Sequence, residues 1–189
     1  IGIIDYTDEA CIAVFKKFAS KRKRFAKLIV TKKPGKRPAL ADGIRAAKGT
    51  IVALVDSDTI WANGVLRNGI VPFVDKKVAG VGTKQSVVET KTLAQKLFSI
   101  RLEQRYWDEV PFLAATGSVQ GCLSGRTAFY RRKVILPLLH KFVHETFWDK
   151  KVISGEDKHL TYLVLSHGWK VAYQSTAQVY TTGVPDIKT

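Results

Sequence analysis

The chain is short of sulfur and of negative charge. Its 189 residues include no methionine and two cysteines, Cys11 and Cys122. Two cysteines so far apart make neither a metal-ligand pair nor a disulfide framework, and they mildly favour a reducing compartment. His140 and His144 share a helix face at i, i+4, but no acid stands between them as in His-Glu-x-x-His, so they read as surface histidines, not zinc ligands. No repeat and no low-complexity linker appears, and the length suits a single domain with a proper core. No apolar run approaches the ~18 residues needed to span a bilayer. Val134–Leu139 is short and contains Pro137. The chain opens without Met on Ile1-Gly2-Ile3-Ile4-Asp5, which looks like the middle of a sheet, so it reads as a fragment of something longer.

The scarcity of acid is uneven. Against 31 Lys and Arg there are 16 Asp and Glu, a net charge of +15. Thirteen of those cations lie between Lys16 and Lys48, where Asp42 is the single acid. Such a concentration attracts polyanions: nucleic acid, anionic headgroups or nucleotide diphosphates. The run Lys21-Arg22-Lys23-Arg24 suits a nucleic-acid patch or, more simply, a solvated helix end.

Hydrophobic patterning alternates. Ile1–Ile4 reads as a strand ending at Asp5, about 8–20 as a helix and Leu28-Ile29-Val30 as a strand. A helix follows with Pro38 in its first turn and Gly49 just past its end, then a strand over Val52–Val55. This β-α-β-α-β order predicts a parallel sheet with right-handed crossovers. Further on, Val78–Val81 and Gln85–Val88 read as two short strands. A long helix from Thr90 to about Asp108 turns Leu93, Leu97, Ile100 and Leu102 to a core. Gln120–Gly125 reads as a small-residue strand and turn where backbone can approach a ligand. A helix from Ser154-Gly155-Glu156-Asp157 ends at Gly168, and strands near Val171 and Val179 close the chain.

Two carboxylate sites stand out. The run Thr50–Val55 ends in Asp56-Ser57-Asp58, and residues two apart on a strand point the same way. The pair can converge on one hard cation, Mg²⁺ or Mn²⁺, with positions left for a diphosphate; it also suits an ordinary polar turn. Glu156 and Asp157 open a helix, where acids complement the dipole and Ser154 with Asp157 has capping-box spacing. The other reading makes one of them a general base.

Taken in order, Asp5, Lys36-Arg37-x-Ala39-Leu40, Asp56-Ser57-Asp58, Gly121-Cys122-Leu123-Ser124-Gly125-Arg126 with Tyr130-Arg131, and Gly155-Glu156-Asp157-Lys158-His159-Leu160-Thr161 resemble the catalytic domain of processive family 2 glycosyltransferases. The similarity is closest to hyaluronan synthases and related membrane polysaccharide synthases and covers essentially the whole chain. It implies an α/β GT-A fold with a mixed, mostly parallel sheet: a Rossmann-like nucleotide-binding half over about 1–82 and an acceptor half over about 83–189. It implies that Asp5 meets the uracil ring and that Lys36 and Arg37 lie near the nucleotide and its phosphates. Asp56 would face the ribose and sugar, with Asp58 (and Asp56 beside it) at an Mg²⁺ or Mn²⁺ ion, and Ser124, Gly125 and Arg126 would line the sugar pocket. Asp157 would be the base, with Glu156 replacing the Asp usual in hyaluronan synthases.

The expected chemistry is inverting transfer from a UDP-sugar to a growing β-linked polysaccharide. Trp107 and Trp148 are candidates to stack on acceptor sugars, or else core residues, and Glu156 is a third candidate at the acceptor. The family's first strand and its Gln-x-x-Arg-Trp motif are missing, as are the membrane helices. The domain is therefore expected on the cytosolic face of a membrane, attached through segments outside this chain and weakly active or inactive alone. A non-processive transferase is the main rival. A basic nucleic-acid module is a second, but it lacks an aromatic platform, and no nucleic-acid partner is expected.

Overall fold

A computed structural model describes residues 1–116 and 120–183. The first part alternates as expected: β1 (Gly2–Asp5), α1 (Glu9–Ser20), β2 (Leu28–Thr31), α2 (Lys36–Ala46), β3 (Ile51–Val55), β4 (Thr59–Trp61) and α3 (Val65–Ile70). The rest is β5 (Val78–Val87), α4 (Leu93–Gln104), a π-helical turn at Arg105–Glu109, α5 (Val110–Ala115), β6 (Thr127–Arg131), α6 (Arg132–Ile135), α7 (Leu139–Val143), β7 (Thr146–Phe147), β8 (Lys150–Lys151), α8 (Glu156–Ser166) and β9 (Lys170–Thr181). Local chemistry sets several ends. The Asp8 carboxylate accepts from the Cys11 amide at 3.0 Å and starts α1. Thr92 and Gln95 cap each other reciprocally at the start of α4. Gly168, at φ 77°, turns the chain out of α8. No helix among the described residues is long and apolar enough to cross a membrane.

The sheet is mixed, as expected, but not mostly parallel. Five strands run in the order β3-β6-β5-β9-β4, and β5–β9 is their one parallel pair. β1 and β2 form a separate parallel pair. The parallel expectation came from β-α-β order, yet β3 bonds to β6, which arrives from much later in the chain. The division expected near residue 82 falls inside β5, so both halves share one sheet.

Three further expectations change. Val78–Val87 is one long strand, and the apparent break at Gly82-Thr83-Lys84 is a register shift against β9. Its glycines make room: a Cβ on Gly80 would stand 2.6 Å from Leu123 Cδ1. On α4, Leu93, Leu97 and Ile100 are exposed. Of the four, Leu102 is buried as expected, and the buried stripe continues at Tyr106 and Val110 toward Val87, Phe98 and Tyr173. Residues 120–125 form no strand, because their amides bond to side chains rather than to a neighbouring strand.

The main core joins α2, β3, β6, α7 and α8 through Ala41, Ile44, Val52, Tyr130, Phe142 and Leu160. Burying each large apolar side chain contributes about 2–3 kcal/mol. This packing brings residues 36, 56, 125 and 156 together. The opposite face of the sheet is closed by Val65, Phe73, Val81, Phe129 and Val179.

Candidate functional site

Lys36 is the centre of the cleft. It is the first residue of α2, and its ammonium lies 2.7 Å from Asp56 Oδ1 and 2.7 Å from Glu156 Oε1. Burial alone would depress its pKa, but the hydrogen bonds and negative charge of the two carboxylates outweigh this and raise it. Gly125 closes the group. A Cβ there would meet Lys36 Nζ at 3.3 Å, Asp56 Oδ2 at 3.5 Å and Glu156 Oε1 at 3.5 Å.

Asp157, in the first turn of α8, meets the loop that carries Gly125. Its Oδ2 accepts from the Gly125 amide at 3.3 Å. Desolvation, followed by the Asp157 charge, pushes the Cys122 thiol up to about 11, so it stays a neutral donor. Thr161, fully buried one turn into α8, ties the loop to the helix. Its hydroxyl accepts from the Leu123 amide at 2.9 Å and donates to the Asp157 carbonyl at 2.7 Å. Acids 56, 156 and 157, remote in sequence, therefore face one hollow with Lys36 and Gly125.

The Asp pair is arranged differently from expectation. β3 ends at Val55, and residues 56–58 form the turn into β4, so strand alternation does not align the two side chains. Asp56 binds Lys36, whereas Asp58 Oδ2 accepts from Thr181 Oγ1 at 3.2 Å. No group of three His, Cys, Asp or Glu among the described residues can hold a metal by itself. The donor set still fits a hard ion: both groups are oxygen ligands, and Asp56 already holds a cation, the lysine ammonium. Two protein carboxylates leave most of a coordination sphere to diphosphate and water.

Arg37 corrects an expectation. It is buried and directed inward, with its Nη groups donating to Phe142 O at 3.1 Å, Ser154 O at 2.9 Å and His159 Nδ1 at 2.8 Å, and pairing with Glu145. It braces the start of α8 and is not available to a phosphate. Its bond to Ser154 O also explains the helix start: Ser154 makes no side-chain cap, and Gly155, at φ 74°, takes the cap position. Asp5 ends β1 with its carboxylate accepting from Thr7 N at 2.9 Å and Thr7 Oγ1 at 2.6 Å, bonds that hold its pKa low. Trp107 and Trp148 are not core residues. Trp107 lies under Lys84 Nζ at 3.6 Å, and Trp148 sits exposed in the β7–β8 turn, stacked on Phe147. Ser124 is half-buried in its loop, and Arg126 donates to Gln85 Oε1 at 3.0 Å.

Sequence reasoning assigned no role to Thr161, Thr181, Arg105 or the Glu145–His159 pair. Thr161 lies in the Gly155–Thr161 block, but a hydroxyl at that position carries no distinctive spacing signal. His159 is 11% exposed, and burial, then the Arg37 charge, lower its pKa while Glu145 opposes them. Below its ordinary value of 6.5, the unfolded chain takes up a proton that the folded one refuses. Stability is therefore expected to fall as pH drops from 7.5 to 5.5. His159→Gln should flatten that part of a urea-midpoint-versus-pH curve; an unchanged curve would contradict it.

The mixed sheet flanked by helices is that of a GT-A-like glycosyltransferase fold. The family model for "Glycosyltransferase like family 2" matches residues 3–188, and the chain belongs to that family. It is 32% identical over 173 residues to a type 2 glycosyltransferase of Zymoseptoria tritici, covering 88% of this chain and 36% of that protein. It is 33% identical over 178 residues to an N-acetylglucosaminyltransferase of Azorhizobium caulinodans, covering 92% of this chain and 43% of the relative. The chain thus spans less than half the length of these curated relatives. Among solved structures, the mannosyltransferase of Pyrobaculum calidifontis in complex with GDP-Man and Mn²⁺ superposes with a TM-score of 0.62, at 21% identity over 98% of this chain and 48% of that one. GalNAc-T7 with UDP, GalNAc and Mn²⁺ gives a TM-score of 0.60 at 11% identity, over 89% of this chain and 34% of that one. These two likenesses concern the fold.

Proposed function

We propose that the chain is the catalytic domain of an inverting, metal-dependent glycosyltransferase that moves a sugar from a UDP-sugar to a growing β-linked polysaccharide. The observation that carries this reading is the meeting of Lys36, Asp56, Gly125, Glu156 and Asp157 in one hollow. Asp58, with Asp56, would hold Mg²⁺ or Mn²⁺, in keeping with the Mn²⁺ found in both solved neighbours. When bound, the ion neutralises charge building on the departing diphosphate. Asp157 takes the proton from the attacking acceptor hydroxyl. With no enzyme nucleophile, attack opposite the leaving group inverts the anomeric carbon, so an α-linked donor yields a β-linked product.

Lys36 keeps Asp56 and Glu156 together in the same hollow as the base. The exposed rings of Trp107 and Trp148 suit stacking on acceptor sugars. The resemblance at Asp5 favours uracil over guanine, and the rhizobial relatives favour N-acetylglucosamine as the sugar. Attachment to the cytosolic face of a membrane would come from segments outside this chain.

The test uses the full-length protein with Mn²⁺ and a UDP-sugar panel, following product length. Asp58→Ala is expected to weaken Mn²⁺-dependent donor binding at least tenfold and to leave binding in EDTA unchanged. Products of one added sugar would favour the non-processive transferase. Failure of every UDP-sugar to bind would overturn the reading.

A further inference from the structure

Thr161 uses the whole hydrogen-bonding capacity of its side chain. Its Oγ1 gives its single hydrogen to the Asp157 carbonyl, four residues back in α8, at 2.7 Å. The same oxygen accepts from the Leu123 amide at 2.9 Å. The Tyr130 hydroxyl stands 3.4 Å from it, and since the threonine hydrogen is already committed, Tyr130 is the donor there. A helical threonine often bonds back to its own helix, so the contact with Asp157 O alone would mean little. The bond from Leu123 is of another kind, because it joins residues 38 apart and both are fully buried.

Leu123 is pinned twice. Its side chain lies against the glycines of β5, where a Cβ on Gly80 would stand 2.6 Å from Cδ1 and one on Gly82 3.1 Å from Cδ2. Its amide is held by Thr161. Two residues on, the Gly125 amide donates to Asp157 Oδ2 at 3.3 Å, while Asp157 Oδ1 accepts from the Lys158 amide at 2.7 Å. Leu123, Gly125, Asp157 and Thr161 therefore close a ring of bonds between the loop and the start of α8. The Gly125 link is longer than the usual range of about 2.7–3.2 Å, so it follows the loop and does not fix it. The stronger tie, at Thr161, decides where the Gly125 amide meets the carboxylate. Misplacing a reacting group by about 1 Å can cost about 10²-fold in rate.

We propose that Thr161 is a positioning residue for sugar transfer: its hydroxyl holds the Leu123–Gly125 loop against α8 and thereby sets where the Asp157 carboxylate stands. The inference rests on the transferase reading of this cleft and adds to it a fully buried residue that acts through the base.

Turnover of the full-length protein is compared for Thr161→Val and Thr161→Ser, with Thr161→Val also combined with Asp157→Asn. Valine keeps the branched shape but leaves the buried Leu123 amide unpaired. Thr161→Val is expected to lower turnover about tenfold or more when Asp157 is present. In Asp157→Asn, with no base left to position, the further loss should be less than about twofold. Thr161→Ser keeps the hydroxyl and should stay within about threefold of wild type. Equal losses in both backgrounds would make the hydroxyl a support of the fold alone and overturn the proposal. Thr161→Val turnover indistinguishable from wild type would do the same, with the transferase reading intact; a wild type that transfers no sugar would instead remove that reading. Should Thr161→Val not fold, hydrogen exchange on the wild type decides. The Leu123 and Gly125 amides should exchange at a common rate, about tenfold or more below that of the exposed Gly121. Leu123 exchanging as fast as Gly121, or Gly125 exchanging independently of Leu123, would sink the link.

Discussion

Replacing Asp157 by asparagine is expected to lower the turnover of sugar transfer by about 10²–10⁴-fold, the range that a positioned general base supplies. Donor affinity should change by less than about threefold. The amide is nearly the same shape and can still accept from the Gly125 amide, which lies 3.3 Å from the carboxylate. What it loses is the capacity to take a proton from the acceptor. Initial-rate kinetics on the full-length protein, with donor binding by calorimetry, separate the two effects. Turnover within threefold of wild type would remove Asp157 as the base. Glu156 could not replace it without first giving up its 2.7 Å bond to Lys36.

The second large effect concerns stability. Arg37→Met keeps the aliphatic stem but removes a buried guanidinium that bonds to Phe142 O, Ser154 O and His159 and pairs with Glu145. Removing one partner of a buried ion pair costs about 3–5 kcal/mol because the other charge is left uncompensated. Glu145 retains 28% side-chain exposure, so the lower end, about 3 kcal/mol, is expected. Chemical denaturation would show this as a lower midpoint at unchanged slope. The start of α8 should loosen with it, since Ser154 loses its tether and Asp157 lies three residues further on. A loss below about 1 kcal/mol would mean that water compensates the site. The opposite pattern, stable protein with poor donor binding, would return Arg37 to the phosphate role first expected of it.

The residue pair Lys36-Arg37 shows how far the sequence reaches. The resemblance places both near the nucleotide and its phosphates. Neighbouring positions on a helix, however, differ by about 100° in direction, so one faces the cleft and the other the α7–α8 core. Composition cannot tell which. Asp56 and Asp58 make the same point in a turn: two residues apart, they bind a lysine from α2 and a threonine from β9. The α4 stripe was misjudged because Leu93, Leu97 and Ile100 satisfy helical period as well as the buried Leu102 does. Period identifies a face without stating what covers it.

By itself the chain determined where α1, β2, α2, β3 and α8 lie, since caps, glycines and short apolar runs act over a few residues. It also carried the ordered carboxylate, glycine and lysine blocks that mark the family. The tertiary structure alone decided which strand pairs with which, that β3 bonds to β6 rather than to β1 or β2, and that Lys36, not a neighbour in sequence, holds Asp56 and Glu156 together. Those outcomes depend on contacts between residues 20 to 120 positions apart. The free energy of such contacts comes from shared burial and desolvated charge, quantities that exist only once the distant segments have met.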